Sequence, residues 1–364
     1  MKKHLRYLGP LLVVLIFAVA VWFLHGILKK HTYAEVRQSV AQISTLWLYA
    51  AIGLTLLNYV ILVGYDLLAV RYIGERLALW KVALASFTGY AFSYNVGATF
   101  AGTTVRYRLY SAWGVSPMKI LQLLVILGLT IWFGLFFLAG VVFIYDPLTI
   151  PAGIPLCFHN TRIVGIVLLG VAVAYLGASA CHKGTVTLWR WKLPVPPFKL
   201  TLYQVGVASA DLLVAAGVLY ALLPSMAGID YPKFLGIYML AYVAAVLSHM
   251  PGGYAVFDGV VLAFLPEEYE SAGIAALLVF RVIYYWVPLL LAAALLAGHE
   301  FVLRRHWFAA MAEGMCRCGR RPLSEPPPAG CSEAAALAQD CCGRNGGAAA
   351  CQGVTPPDAV RPRS

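Results

Sequence analysis

The sequence predicts an all-α membrane protein that crosses the bilayer several times. Of its 364 residues, 61% are hydrophobic and only 12% are charged, whereas about a quarter of the residues of a soluble domain are charged. Eight apolar segments follow one another, and several exceed the roughly 20 residues that a helix needs to cross a bilayer. Because two of the eight are interrupted by polar residues, glycine or proline, we expect about six spanning helices and two re-entrant, broken-helix hairpins.

The first half of the predicted membrane region covers residues 1–145. Its spanning helices are predicted at 8–28, 45–70 and 117–145, with a hairpin at 82–105. Basic residues before the first segment make it resemble a secretory signal peptide. Because the apolar run continues to Leu28, we expect an uncleaved helix instead.

The second half, residues 161–303, repeats this order. Spanning helices are predicted at 161–180, 200–223 and 273–298, with a hairpin at 234–265. Proline has no N–H to donate and glycine permits a tight reversal. The predicted break residues are Gly97 and Gly102 in the first hairpin and Pro251, Gly252 and Gly253 in the second. A kinked helix that its neighbours pack against is the alternative.

The distribution of Lys and Arg predicts the topology. The net charge is +11, and the basic residues lie between the apolar segments, where the positive-inside rule places them in cytoplasmic loops. Counted up to Arg305 and without Arg281, ten basic residues would lie on each side if all eight segments spanned the membrane, whereas two re-entrant hairpins put fifteen inside and five outside. Only the loop at 29–37 runs clearly against the rule. We therefore expect a cytoplasmic N-terminus and a cytoplasmic C-terminal tail.

The two halves are predicted to form an inverted repeat. Each half has three spans, and because three is odd, the second half must cross the membrane in the opposite direction. Many transporters have this plan, and their broken helices meet at a substrate site near the membrane midplane. The half-helix that begins near Tyr254 would point its positive N-terminal end at the break, which is a natural place for an anion.

Polar residues inside the apolar segments are the candidate substrate-binding residues, because a charge in hydrocarbon is costly and faces a cavity or a partner. They are Arg281, Asp258, Asp211, Arg106, Asn95, Tyr284 and Tyr285. The planar guanidinium of Arg281 suits a phosphate, which it can bind through two parallel hydrogen bonds. Asp211 and Asp258 would balance charge or bind a cationic head group. In the alternative interpretation, Arg281 forms a structural pair with Asp258 or Asp211.

Several of these candidates have ordinary alternatives. Arg106 is either a head-group contact or a positive-inside anchor, Asn95 is a possible interhelical hydrogen-bond former, and tyrosines are common at membrane interfaces. The sequence has no HExxH, GxSxG or P-loop motif. We expect no catalytic residue, metal ion, cofactor or nucleic-acid partner.

The tail, residues 304–364, is predicted to be disordered. It is rich in Pro, Gly, Ala and Arg, and it holds six of the eight cysteines without the spacing of a zinc site. An altered reading frame after Met315 would also produce such a composition. We assign the tail no function.

Three stretches carry a resemblance to a known family. They are "FSYNVGATFAGTTVRYRLYSAWGVS" (92–116), "SHMPGGYAVFDGVVLAFLP" (248–266) and "LLVFRVIYYWVPLLL" (277–291). Over about residues 1–303 the chain resembles the transmembrane region of the lysylphosphatidylglycerol synthase/flippase family, which includes the membrane part of the multiple peptide resistance factor. The matching motif residues are Asn95, Gly97, Gly102 and Arg106, then Pro251, Gly252, Gly253 and Asp258, then Arg281, Tyr284 and Tyr285.

The resemblance implies that the chain moves aminoacylated or other phospholipids between leaflets of the bacterial inner membrane. In that family a separate cytoplasmic domain attaches the amino acid, and only about sixty residues follow the last predicted helix here, so we expect a stand-alone member that is not an enzyme. Two alternatives stay open. One is a transporter of a smaller anionic or zwitterionic solute, and the other is a non-catalytic partner of a separately encoded aminoacyl-transferase.

Overall fold

The computed structural model describes residues 38, 40–41, 43–96, 101–149, 160–181, 184–188, 191–223, 229–248 and 254–299. In these parts the chain is helical, apart from a two-stranded antiparallel ribbon of Gly184–Leu188 (β1) and Trp191–Val195 (β2) and a single bridge between Thr149 and Asn160. The ribbon occupies part of the predicted loop between two spans. The predicted helix at 8–28, the break residues Gly97, Pro251, Gly252 and Gly253, and the tail lie outside the described residues.

The helices of the described residues are numbered in chain order. In the first half they are α1 (Thr45–Tyr72), α2 (Leu79–Val96), α3 (Thr103–Ala112) and α4 (Pro117–Tyr145). In the second half they are α5 (Arg162–Cys181), α6 (Phe198–Leu222), α7 (Tyr231–Leu247), α8 (Tyr254–Ala263) and α9 (Glu270–His299). A 3₁₀ turn at Glu267–Tyr269 precedes α9. Within α9, residues Arg281–Trp286 are wound as a π-helix.

Five of these helices, α1, α4, α5, α6 and α9, are long and apolar enough to cross a membrane. Each coincides with one of the predicted spans. Large hydrophobic side chains such as Leu56, Val60, Leu121 and Ile163 are exposed on their outer faces, as expected where a helix contacts lipid rather than water. The chain is therefore a multi-pass membrane protein.

Each interrupted segment consists of two shorter helices, α2 with α3 and α7 with α8. In the first pair the chain doubles back, since Gly102, the residue before α3, lies against Ser93 and Gly89 of α2. A Cβ on Gly102 would overlap the Ser93 hydroxyl and lie 2.6 Å from the Gly89 carbonyl oxygen. In the second pair, the ring of Tyr238 in α7 packs edge-on against Phe257 in α8, with centroids 5.3 Å apart.

The two halves meet where α1 crosses α6 in an antiparallel arrangement, which we call the joint. Gly64 of α1 lies close to Val207 of α6, and Gly217 of α6 lies close to Leu54 of α1. Gly64 and Gly217 are each 19 residues from the start of their helix, and Val207 and Leu54 are each nine residues from it. The contact is thus reciprocal, as in a two-fold symmetric interface.

The buried apolar core includes α6, one of the two helices of the joint. Its apolar side chains come chiefly from α4, α6, α7, α8 and α9. Small residues allow the closest helix approaches, as is common in membrane proteins: a Cβ on Gly140 of α4 would lie 2.7 Å from the main-chain nitrogen of Leu169 in α5.

Candidate functional site

The carboxylate of Asp211 lies at the centre of the joint. Asn58 of α1 donates from Nδ2 to Asp211 Oδ1 at 2.8 Å and to the Asp211 main-chain oxygen at 2.9 Å, and the Tyr65 hydroxyl donates to Oδ2 at 2.8 Å. Asn58 and Asp211 each lie 13 residues from the start of their helix. The two corresponding residues of α1 and α6 are therefore hydrogen-bonded to each other.

A hydrogen-bond chain extends from the joint to α9. The Tyr284 hydroxyl donates to Asn58 Oδ1 at 2.6 Å, and the Tyr59 hydroxyl donates to the Tyr284 main-chain oxygen at 3.2 Å. The Tyr284 carbonyl is available because Pro288, four residues later, has no N–H to donate to it.

The π-helical segment of α9 exposes a second carbonyl to a neighbouring helix. Asn95, near the end of α2, donates from Nδ2 to the Tyr285 main-chain oxygen at 3.1 Å and to the Ala91 oxygen of its own helix at 2.8 Å. π-helical turns inside α-helices are frequent at functional sites. The segment thus anchors α2 beside the joint and fixes the direction of Arg281, its first residue.

Arg281 and Asp258 form a buried ion pair, which we call the second pair because it lies in the second half of the chain. Arg281 Nη2 donates to Asp258 Oδ1 at 2.6 Å, and the guanidinium lies over the ring of Tyr285 at 4.7 Å and near that of Phe257 at 5.4 Å. Arg281 is only 1% exposed. Of the two structural partners that the sequence left open for Arg281, the geometry selects Asp258.

Arg106 and Asp66 form the first pair, which is also buried. Arg106 donates from Nε and Nη2 to the two Asp66 oxygens, both at 3.1 Å, and the Tyr110 hydroxyl donates to Asp66 Oδ1 at 3.0 Å. The guanidinium lies 4.2 Å from the Tyr90 ring centroid, and Gly89 leaves the space for it. With an exposure of 4%, Arg106 lies inside the protein.

A row of aromatic rings connects the two pairs. Tyr90 and Tyr94 of α2 have ring centroids 5.9 Å apart, and Tyr94 lies 5.9 Å from Tyr285 of α9. We call these three residues the tyrosine row. Because Arg106 covers Tyr90 at one end and Arg281 covers Tyr285 at the other, the row joins a buried cation of each half.

The structure thus brings the predicted residues into one connected region with partners outside the candidate set. Asp258 with Arg281, Asp211 with Tyr284, and Asn95 with Tyr285 are linked as described above. The partners that were not among the candidate substrate-binding residues are Asp66, Asn58, Tyr65, Tyr90 and Tyr94. A carboxylate within a 28-residue apolar helix is the signal that marks Asp66. In the described residues, no group of three His, Cys, Asp or Glu side chains could hold a metal ion.

An apolar groove of about 620 Å³ lies at the outside of the joint. It is formed by α1, the start of α2 and α6, and its lining includes Val60, Gly64, Leu67, Ala83 and Val207. The groove shares Gly64 and Val207 with the contact between the halves.

Comparison with known proteins gives relatives of similar length. No family model matches the chain. The chain is 37% identical over 292 residues to the uncharacterized protein slr0712 of Synechocystis sp., covering 80% of this chain and 91% of the relative. It is 34% identical over 296 residues to the inner membrane protein YbhN of Escherichia coli, covering 80% and 92%. The match to phosphatidylglycerol lysyltransferase of Staphylococcus aureus is 26% identical over 289 residues, covering 76% of this chain but 32% of that protein.

Proposed function

The chain belongs to the family of the inner membrane protein YbhN, and it is related to phosphatidylglycerol lysyltransferases, as the sequence predicted. We propose on this basis that it is an inner-membrane lipid translocase. It moves a phospholipid with an anionic phosphate, of the phosphatidylglycerol or aminoacyl-phosphatidylglycerol type, from one leaflet to the other. The head group passes between the two halves, and the acyl chains stay in the bilayer.

The observation that carries this proposal is the buried second pair. A charged side chain inside the hydrocarbon region is costly, and such residues commonly mark a substrate pathway. In the structure the guanidinium of Arg281 binds the Asp258 carboxylate, and a guanidinium binds a phosphate with similar geometry. A lipid phosphate can therefore replace Asp258 on Arg281 as the head group enters, while the tyrosine row provides a polarizable path toward Arg106.

The contacts between the halves support an inverted repeat. The reciprocal glycine contacts of the joint and the hydrogen bond between the corresponding residues Asn58 and Asp211 are those that an antiparallel two-fold relation produces. The doubled-back helices α2 with α3 and α7 with α8 are consistent with re-entrant hairpins. In this arrangement the substrate site lies near the membrane midplane.

The apolar groove favours a lipid over a soluble solute. Its lining is apolar and it opens at the outside of the joint, where the surrounding helices carry exposed hydrophobic side chains. An acyl chain can pack against such an apolar surface, whereas a polar solute gains nothing from contact with it. The related lysyltransferases bear the name of phosphatidylglycerol, which favours this lipid as the first substrate to test.

The test is leaflet-resolved translocation of fluorescent phosphatidylglycerol and its lysyl form in proteoliposomes. We expect wild type to move at least one of them, and Arg281→Ala and Asp258→Asn to lose the activity while remaining folded. The matched control is Lys119→Ala, because Lys119 forms a partly exposed 2.7 Å ion pair with Glu75, outside the site.

No movement of either lipid by folded wild type, with and without a membrane potential or pH gradient, would contradict the proposal. A transporter of a smaller anionic or zwitterionic solute, or a partner of a separately encoded aminoacyl-transferase, would then take its place. Loss of activity in Lys119→Ala as great as in Arg281→Ala would show that the assay does not report on the site.

A further inference from the structure

We propose that Asp211 is a proton-binding site at the joint between the two halves, and that its protonation drives their movement. The second part rests on the proposed function, whereas the proton site itself does not. Proton uptake adds one hydrogen ion to a carboxylate oxygen and changes the side chain from negative to neutral. No other covalent bond forms or breaks.

Asp211 differs from the other two membrane carboxylates in its partners. Asp66 and Asp258 each pair with an arginine. In the described part of the chain, Asp211 accepts hydrogen bonds only from the neutral side chains of Asn58 and Tyr65. It is 7% exposed. An ionised carboxylate in hydrocarbon without a counter-charge is unfavourable, and a bound proton removes that penalty.

The hydroxyl of Tyr90 independently indicates that the hydrogen bonds around Asp211 can rearrange. Tyr90 is 4% exposed, and within the described residues its hydroxyl has no hydrogen-bond partner, which is unusual for a buried polar group. Its ring packs edge-on against Tyr65 at 5.7 Å. When Asp211 is protonated, it donates to the Tyr65 oxygen, and the Tyr65 hydrogen then needs a new acceptor. The Tyr90 oxygen, on the ring that packs against Tyr65, has free capacity to accept it.

The polar atoms around Asp211 favour a proton over a metal cation. Asn58 directs its amide nitrogen at the carboxylate, and its oxygen already accepts from Tyr284. A hard cation such as Ca²⁺ needs about six or more oxygen ligands. Donors surround this carboxylate, so a cation would have to displace them, whereas a proton requires only that one hydrogen bond reverse.

The other titratable groups that face Asp211 are phenols. They come from α1, α2, α7 and α9 and are within electrostatic range of Asp211: Tyr59, Tyr65, Tyr90, Tyr94, Tyr238, Tyr242 and Tyr284. Helix α4 meets α6 at Gly134 and Ala208, which do not titrate. Arg106 and Asp66 face Tyr90 from the far side and neutralise each other. Because phenols stay neutral near neutral pH, Asp211 is the group whose charge changes.

Protonation would weaken the connection between the halves. Asn58 and Asp211 are corresponding residues, and their hydrogen bonds hold α1 against α6 at the centre of the joint. Hydrogen bonds to an ionised acceptor are roughly twice as strong as neutral ones. A proton on Asp211 therefore loosens the joint and links a proton gradient to the relative movement of the halves.

The proton site is tested by infrared titration of the full-length protein in nanodiscs of phosphatidylglycerol and phosphatidylethanolamine. We expect wild type to show a titrating carbonyl band of a protonated carboxylic acid, Asp211→Asn to lack it, and Asp211→Glu to restore it. Tyr65→Phe should shift the midpoint by about one pH unit, because one hydrogen bond to the carboxylate is lost. Identical titrations of wild type and Asp211→Asn, or an unchanged midpoint in Tyr65→Phe, would overturn the proposal.

The coupling is tested by lipid translocation under an imposed pH gradient. We expect the wild-type rate to respond to the gradient, Asp211→Asn to be insensitive, and Lys119→Ala to respond as wild type does. A wild type that moves lipid without any response refutes the coupling and leaves the lipid translocase standing. A titrating band that needs Asp211, combined with no lipid movement by wild type, supports the proton site and refutes the translocase.

Discussion

The two doubled-back helix pairs are held by ion pairs of opposite polarity. In the first half α3 carries the cation, Arg106, and α1 carries Asp66. In the second half α8 carries the anion, Asp258, and α9 carries Arg281. Arg106 is the fourth residue of α3 and Asp258 the fifth of α8. Similar positions in the two halves therefore carry opposite charges and reach different spanning helices.

The two pairs also differ in how firmly the carboxylate is held. Asp66 accepts from two nitrogens of Arg106 and from the Tyr110 hydroxyl. Among the described residues, Asp258 accepts from Arg281 only. A carboxylate with three charge-assisted or phenolic donors is harder to displace than one with a single donor. We infer that the first pair fixes the fold and that the second is the one which a substrate anion can open.

The largest expected effect is that of Arg106→Ala. It leaves Asp66 buried without a counter-charge, which typically costs about 3–5 kcal/mol, and the free energy of unfolding in detergent should fall by that order. Arg281→Ala should destabilise less, because Asp258 has fewer donors to lose and is slightly more exposed. Adding Asp66→Asn to Arg106→Ala should restore most of the stability. Equal destabilisation by Arg106→Ala and Arg281→Ala would mean that the two pairs do not differ as inferred.

An intermediate effect is expected from Gly102→Ala. The new methyl group would overlap the Ser93 hydroxyl and approach the Gly89 carbonyl oxygen, so the α2 and α3 backbones must separate, at a cost of about 1–3 kcal/mol. The matched control is Gly53→Ala in α1, where nothing lies within 4 Å of the added carbon. Thermal unfolding of the two variants separates the cases, and a Gly102→Ala variant as stable as Gly53→Ala would refute the close packing of the first hairpin.

The smallest effect is expected from Tyr284→Phe. It removes the 2.6 Å hydrogen bond to Asn58 and keeps the ring, and side-chain hydrogen bonds in a membrane protein average about 0.6 kcal/mol. The unfolding midpoint should fall slightly, whereas Tyr145→Phe, at a residue that is 82% exposed, should leave it unchanged. A loss as large as that of Arg106→Ala would show that the hydrogen-bond chain, and not the first pair, is the main connection.

The sequence by itself determined where the spanning helices lie. The segments at 45–70, 117–145, 161–180, 200–223 and 273–298 each became a spanning helix, because the free energy of membrane insertion sums along a contiguous run of residues. It also located the two interrupted segments, since glycine, proline and polar residues change the local backbone preference.

Only the tertiary structure decided which charges pair. Asn58 meets Asp211 across 153 residues and Arg106 meets Asp66 across 40, and no local pattern encodes such partners. The sequence left Arg281 with two possible aspartates and placed Arg106 either at a head group or at the membrane surface. Packing assigned Arg281 to Asp258, buried Arg106 against Asp66, and left Asp211 with neutral donors, because the crossing of α1 and α6 and the doubling back of α3 fix which side chains lie within hydrogen-bond distance.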